Sequence, residues 1–197
     1  MAGKTTVAVT EQEYRDIIQT LASGGAGFRP KKSVAVALMV EANLGLRIED
    51  VLALKLSDMI LDGDHRRLNI TEQKTGKRRT FTVPTALYQV LQDYAMDNNI
   101  KRDELIFPFT ERYVQKYLKL ACEYLSDSET ADHYRLIGTH SFRKFFAQDI
   151  YEKNGRDIML VQKLLQHSSV AVTQKYLLSS QKALNTAIEN HVNIISI

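Results

Sequence analysis

Apolar positions first recur at helical spacing just after residue 10. TEQEYRDIIQTLAS opens with Thr10 and carries Glu13 three residues on, the reciprocal capping pattern that starts a helix. SGGAGFRP interrupts it as a loop. KKSVAVALMVEANL reads as a second helix closed by Gly45, and IEDVLALKL as a short third one with Ile48, Val51, Leu52 and Leu54 apolar. The period then shortens to two: RLNIT and RTFTV alternate apolar and polar residues, and Gly76 supplies turn chemistry between them. Three short strands are predicted near 58–62, 67–72 and 79–83, with a break at Pro84. A helix follows at about 85–98, then a loop around LIFPF and a helix at about 110–125. SDSETADHYR reads as a polar linker. From Thr139 onward the chain is helical in short pieces, punctuated by Gly155 and by His167-Ser168-Ser169. The expected class is mainly α with a small antiparallel β-sheet, an α+β fold with no internal repeat.

The bulk numbers narrow the class further. A chain of 197 residues fits one ordinary domain and can bury roughly two-thirds of its unfolded surface without staples. A single cysteine, Cys122, excludes an internal disulfide and suits a reducing compartment. No run approaches the ~18 apolar residues of a membrane span, and MAGKTTVAVTEQEY lacks the apolar core of a signal peptide, so the expected location is cytoplasmic. The net charge of +3 says little until it is mapped. From Arg66 to Arg79, RRLNITEQKTGKRR holds six Lys or Arg and one acid, Glu72. Such a hairpin is either a solvated tip or a basic ribbon that touches phosphates.

Several polar residues interrupt the apolar pattern. Arg47 sits between two apolar helices, where a desolvated guanidinium needs an anionic partner. Asp50, three positions on, could hold it on one helix face, leaving open a structural pair or an anion site. His140 and Arg143 are three apart and share a helix face, with Thr139 expected as N-cap and His140 in the first turn, where anions are favoured. His167 precedes Tyr176 by nine residues. His65, His133, His140, His167 and His191 are too scattered for a metal set, and no zinc-type spacing occurs, so no metal and no cofactor are expected.

Taken together, these segments resemble the catalytic domain of the tyrosine recombinases, or phage-integrase family. GLRIEDVLALKLSDM looks like the first-arginine segment and carries Arg47 with Asp50 as its acidic neighbour. QKTGKRRTFTVP resembles the lysine hairpin, with Lys74; THSFRKFFA resembles the His-x-x-Arg box, with His140 and Arg143; LLQHSSVAVTQKYL resembles the final box, with His167 and Tyr176. The order and the spacing both match across residues 47–176. The resemblance implies DNA strand breakage and rejoining through a 3′-phosphotyrosine, without metal or high-energy cofactor. Tyr176 would be the nucleophile, Arg47 and Arg143 would hold the non-bridging oxygens, and Lys74 would protonate the departing 5′ oxygen. His140 would exchange a proton with the tyrosine, His167 would hydrogen-bond the phosphate, and Asp50 would orient Arg47. A phenol that titrates near about 10 needs such help at neutral pH.

The implied partner is double-stranded DNA, with Lys31, Lys32, Lys77, Arg78, Arg79 and Lys144 as expected phosphate contacts. The resemblance also implies a homo-tetramer on paired sites, a monomer without DNA, accessory DNA-bending proteins as further partners, no membrane, and a nucleoid-associated location. Residues 1–9 read as an extension or vector-derived segment and 10–180 as the catalytic domain. Residues 181–197 read as a tail that could be a subunit-exchange helix. The family's N-terminal core-binding domain is expected to be absent. Two departures stand out: Gln166 where the family often has Gly, and Lys144 where many members have His. Two other readings share the motifs: a type IB topoisomerase-like enzyme without partner exchange, and a DNA-binding module without activity.

Overall fold

The computed structural model describes residues 6–177 apart from 75, 77 and 128. The expected tail at 181–197 lies outside the described residues. Helix α1 (Glu11–Ser23) opens as its sequence predicts: Glu13 N–H donates to Thr10 Oγ1 at 3.2 Å, and Thr10 N–H donates to the Glu13 carboxylate at 2.7 Å. Residues 6–9 run beside the body of the molecule, with Val9 buried and Val7 N–H donating to Leu136 O.

Helix α2 (Lys32–Leu44) is the central element. Val34, Leu38, Val40, Ala42 and Leu44 are all buried, over far more than a single stripe, and Lys32 and Asn43 mark its one exposed side. It packs on α1 and on α7. Gly45 ends it in the left-handed conformation, φ 56°, with its N–H donating to Glu41 O at 2.9 Å. The chain turns at once into α3 (Ile48–Leu52) and then, through a single 3₁₀ turn at Leu56–Asp58, into the sheet.

Strands β1 (Met59–Asp62), β2 (His65–Thr71) and β3 (Arg78–Val83) form an antiparallel sheet in that order, so β1 and β3 are its edges. Met59 faces Leu68, and Leu68 faces Phe81, which puts the apolar half of each alternating strand onto the core. Thr71 pairs with Arg78, and the connection between them carries Lys74. Gly76, at φ 66°, makes the turn predicted for it.

Helices α4 (Thr85–Asp97) and α5 (Glu111–Leu125) follow near the predicted bounds. The expected polar linker instead contains one helical turn, α6 (Ala131–Tyr134), begun by the Asp127 side chain, which accepts from Thr130 N–H at 2.8 Å. In α7 (Thr139–Lys153) the N-cap position belongs to Gly138, and Thr139 is the first helical residue rather than the cap. Ser141 explains the shift: its Oγ accepts from Gly138 N–H at 3.0 Å, which closes the helix start one residue earlier. His140 remains in the first turn. Helix α8 (Ile158–Leu165) is capped by Asp157, and α9 (Val170–Leu177) returns across α7 and α8. Ala147, Val161 and Leu165 form a small second core, and Phe146, Tyr151 and Tyr176 pack against it. Among the described residues no helix is long and apolar enough to cross a membrane.

Candidate active site

Five segments deliver the expected residues to one place. Arg47 stands at the start of α3, Lys74 on the β2–β3 loop, His140 and Arg143 on the first turns of α7, His167 after α8, and Tyr176 on α9. The electrostatics show that they meet. The His140 imidazole is held below its ordinary titration range by burial first, then by the charges of Arg143, Arg47, Lys74 and Lys144. It is therefore a neutral ring among cations, able to accept a proton. The Arg143 guanidinium is pushed down by burial and by Arg47, against support from the Tyr176 phenol, both by charge and by a side-chain hydrogen bond.

Arg143 is wholly buried. Its Nη1 donates to Gly45 O at 2.5 Å and its Nη2 to Leu165 O at 2.9 Å. Both acceptors are carbonyls at helix C-terminal ends, where the backbone carries partial negative charge. One side chain thus joins the end of α2 to the end of α8, the two points from which Arg47 and His167 depart.

Arg47 finds a different carboxylate from the expected one. Its Nη1 pairs with Glu72 Oε2 at 2.6 Å, and the Glu72 side chain has no exposed surface. Asp50 instead accepts the Gln73 N–H at 2.9 Å, so it anchors the base of the Lys74 loop. Burial raises the Asp50 carboxyl above its ordinary range, against that Gln73 hydrogen bond. The two acids therefore act on opposite partners: the loop's Glu72 holds the arginine, and the helix's Asp50 holds the loop. Lys74 itself is exposed.

The last two residues pack ring against ring in a tilted contact. The His167 and Tyr176 rings are 4.6 Å apart at 56°. His167 Nδ1 lies 3.1 Å from Thr173 Oγ1, one helical turn before Tyr176, and Thr173 is fully buried. Gln162 holds the loop from below: its Nε2 donates to His167 O at 3.2 Å, and its own carbonyl accepts His167 N–H at 3.1 Å. Lys144 donates to Thr6 O at 2.5 Å, and its ammonium stands 5.9 Å from the Tyr176 ring centre. Burial lowers its titration range.

The remaining expected contacts divide. Arg78 is exposed on β3, Lys77 lies outside the described residues, and Arg79 belongs to β3. Lys31 and Lys32 stand at the opposite end of α2 from Gly45, where the Lys31 ammonium lies 4.7 Å from the Tyr117 ring and 5.9 Å from Tyr113. Sequence reasoning missed Glu72, Gln162 and Thr173. Thr173 carried a usable signal, since it lies three residues before Tyr176 on one helix face. Glu72 carried none, because its partner is 25 residues away.

Comparison with known proteins gives a consistent picture. Residues 8–183 match the model of the phage integrase family. The probable integrase/recombinase YoeC of Bacillus subtilis is 33% identical over 135 residues, covering 68% of this chain and 71% of that protein. Tyrosine recombinase XerA of Pyrococcus furiosus is 27% identical over 188 residues, 92% of this chain and 60% of its own length. A probable integrase/recombinase of Acholeplasma phage L2 is 31% identical, and the match spans 46% of it. Among solved structures, the XerH recombinase in a post-cleavage complex with its difH substrate aligns with a TM-score of 0.71 at 18% identity, over 96% of this chain and 54% of that one. The catalytic domain of bacteriophage HP1 integrase aligns with a TM-score of 0.61 at 17% identity, over 94% and 95%. At these identities the structural likeness speaks for the fold.

Proposed function

The chain belongs to the phage integrase family, and on that premise we propose that it is a site-specific recombinase that cuts and rejoins DNA through a phosphotyrosine. The observation that carries the reading is the convergence at His140 and Arg143: four cations from three segments act on a neutral imidazole, and the Tyr176 phenol touches the second arginine.

In the proposed step, Tyr176 Oη attacks the scissile phosphorus and its proton passes to His140. The P–O5′ bond breaks, and the departing 5′ oxygen takes a proton from Lys74 to leave as a hydroxyl. The 3′-phosphotyrosyl bond conserves the energy for rejoining when a second 5′-hydroxyl attacks. Charge that accumulates on the non-bridging oxygens is met by Arg47 and Arg143, each donor worth about 3–4 kcal/mol by analogy with oxyanion sites. With Nδ1 engaged by Thr173, the His167 hydrogen bond to phosphate falls to Nε2. The hairpin's Arg78, Lys77 and Arg79 would follow the DNA backbone beside Lys74, with Lys31, Lys32 and Lys144 as further phosphate contacts. The assembled form would be a homo-tetramer on paired sites, acting in the cytoplasm on the nucleoid, with accessory DNA-bending proteins as further partners.

The test is covalent capture. The chain is incubated at low salt, with EDTA, with a pool of nicked duplexes randomised at the centre, then denatured. The expected result is protein-linked DNA enriched in one sequence, and none from Tyr176→Phe, a substitution that removes only the phenolic oxygen. Equal yields from the two proteins, or no capture from any sequence, would overturn the reading.

A further inference from the structure

Gln166 occupies a costly position. It ends α8 in the left-handed conformation, φ 52° and ψ 36°, a region that favours glycine. A residue with a side chain persists there when that side chain does something glycine cannot. Its Nε2 donates to Arg78 O at 3.1 Å, 88 residues away in sequence. Arg78 is the first residue of β3, and β3 is an edge of the sheet, so the bond lands where no neighbouring strand competes. The residues on either side of this bond matter equally. Arg78 closes the loop that carries Lys74, and Gln166 is followed directly by His167, which lies against Tyr176. An open cleft of about 870 Å³, lined by Arg78, Leu160, Gln162, Lys163, Gln166 and His167, runs between hairpin and α8. Both partners of the Gln166–Arg78 bond line that cleft.

We propose that Gln166 is a positioning residue whose amide ties the Lys74 hairpin to the loop carrying His167, so that Lys74, which serves the leaving oxygen, is held in register with the His167–Tyr176 pair, which serves the nucleophile. The assignment of those two groups rests on the recombinase reading; the tie itself does not. Asp50 fixes the other end of the same loop at Gln73, so the hairpin is pinned from both strands.

The experiment compares the full chain with Gln166→Gly, which relaxes the backbone and deletes the amide, and with Gln166→Glu, which keeps the length but cannot donate. Hydrogen exchange is followed in peptides covering residues 72–83. Both variants should exchange there about fivefold faster than wild type, the factor carried by one ordinary hydrogen bond, with α2 unchanged. Unchanged exchange in the hairpin would overturn the tie. The second arm uses the duplex enriched by covalent capture, made with oxygen or sulfur at the bridging 5′ position; a thiolate leaves without needing a proton. Gln166→Gly should cleave the oxygen duplex about tenfold or more slowly, with unchanged affinity, and match wild type on the sulfur duplex. An equal loss on both, or no loss on oxygen, would overturn the positioning role. Should wild type capture no duplex at all, the recombinase reading fails by itself, and the exchange comparison still decides the tie.

Discussion

Glu41 lies on the third turn of α2 with none of its surface exposed, and neither carboxylate oxygen has a hydrogen-bond partner among the described residues. Burial drives its titration well above the ordinary 4.5, with Arg143 pulling the other way and Glu111 adding to the rise. A carboxyl raised on folding gives stability that is full below the ordinary carboxyl range and is lost as pH rises through its own higher titration point. Glu41→Gln should therefore flatten the dependence of Tm on pH. At pH 8 the variant should melt several degrees above wild type, since an unpaired buried group costs about 1–3 kcal/mol and each kcal/mol moves Tm by about 2–4 °C. At pH 4 the difference should shrink; parallel curves would show that the carboxyl is not held neutral. In the sequence Glu41 reads as an ordinary polar position of KKSVAVALMVEANL. Helical spacing reports one apolar stripe, and it does not show that other elements close over the remaining face. The same limit hid the Arg47–Glu72 pair, because ion pairs between distant segments leave no local spacing. The catalytic candidates were legible for the opposite reason: their chemistry needs fixed residue types in fixed order along the chain.

Gly45 decides how α2 hands over to α3. Its positive φ turns the chain, its carbonyl receives Arg143, and a Cβ there would overlap the Phe146 ring of α7. Gly45→Ala should therefore cost about 2–4 kcal/mol, combining left-handed strain with overpacking in a helix interface that cannot open. Denaturant unfolding measures it; a drop in stability below about 1 kcal/mol would mean that α7 slides and that the Arg143 bond to Gly45 is adjustable. The glycine stop was plain in the sequence, as were the Thr10 capping box and the alternating strands, because caps and periods are local. The start of α7 was displaced by one residue, since Ser141 reaching back to Gly138 competes with Thr139 as a cap and sequence alone does not rank them. The turn of helix at Ala131–Tyr134 was masked by its polar composition and the absence of an apolar stripe.

At the scale of the molecule, α2 separates two basic regions. The hairpin is bound to its C-terminal end through Arg47 and Glu72, while Lys31 and Lys32 stand at its N-terminal end, roughly 20 Å away at 1.5 Å per residue. The sequence showed both clusters but not this distance, which depends on how the hairpin folds back to the α2–α3 junction. A duplex that meets both must lie along about six base pairs of the protein, at about 3.4 Å per pair. Removing one side-chain cation that neutralises a phosphate should reduce the slope of log affinity against log salt by about 0.9. Replacing Lys31 and Lys32 with alanine should then flatten the slope by nearly two units, and replacing Lys77 and Arg78 should do the same, with the two effects adding because distant sites act independently. Binding of one duplex measured by fluorescence anisotropy across a salt series checks this. If the hairpin pair flattens the slope and the α2 pair does not, the DNA is gripped at the catalytic end alone, and Lys31 serves only the aromatic packing against Tyr113 and Tyr117.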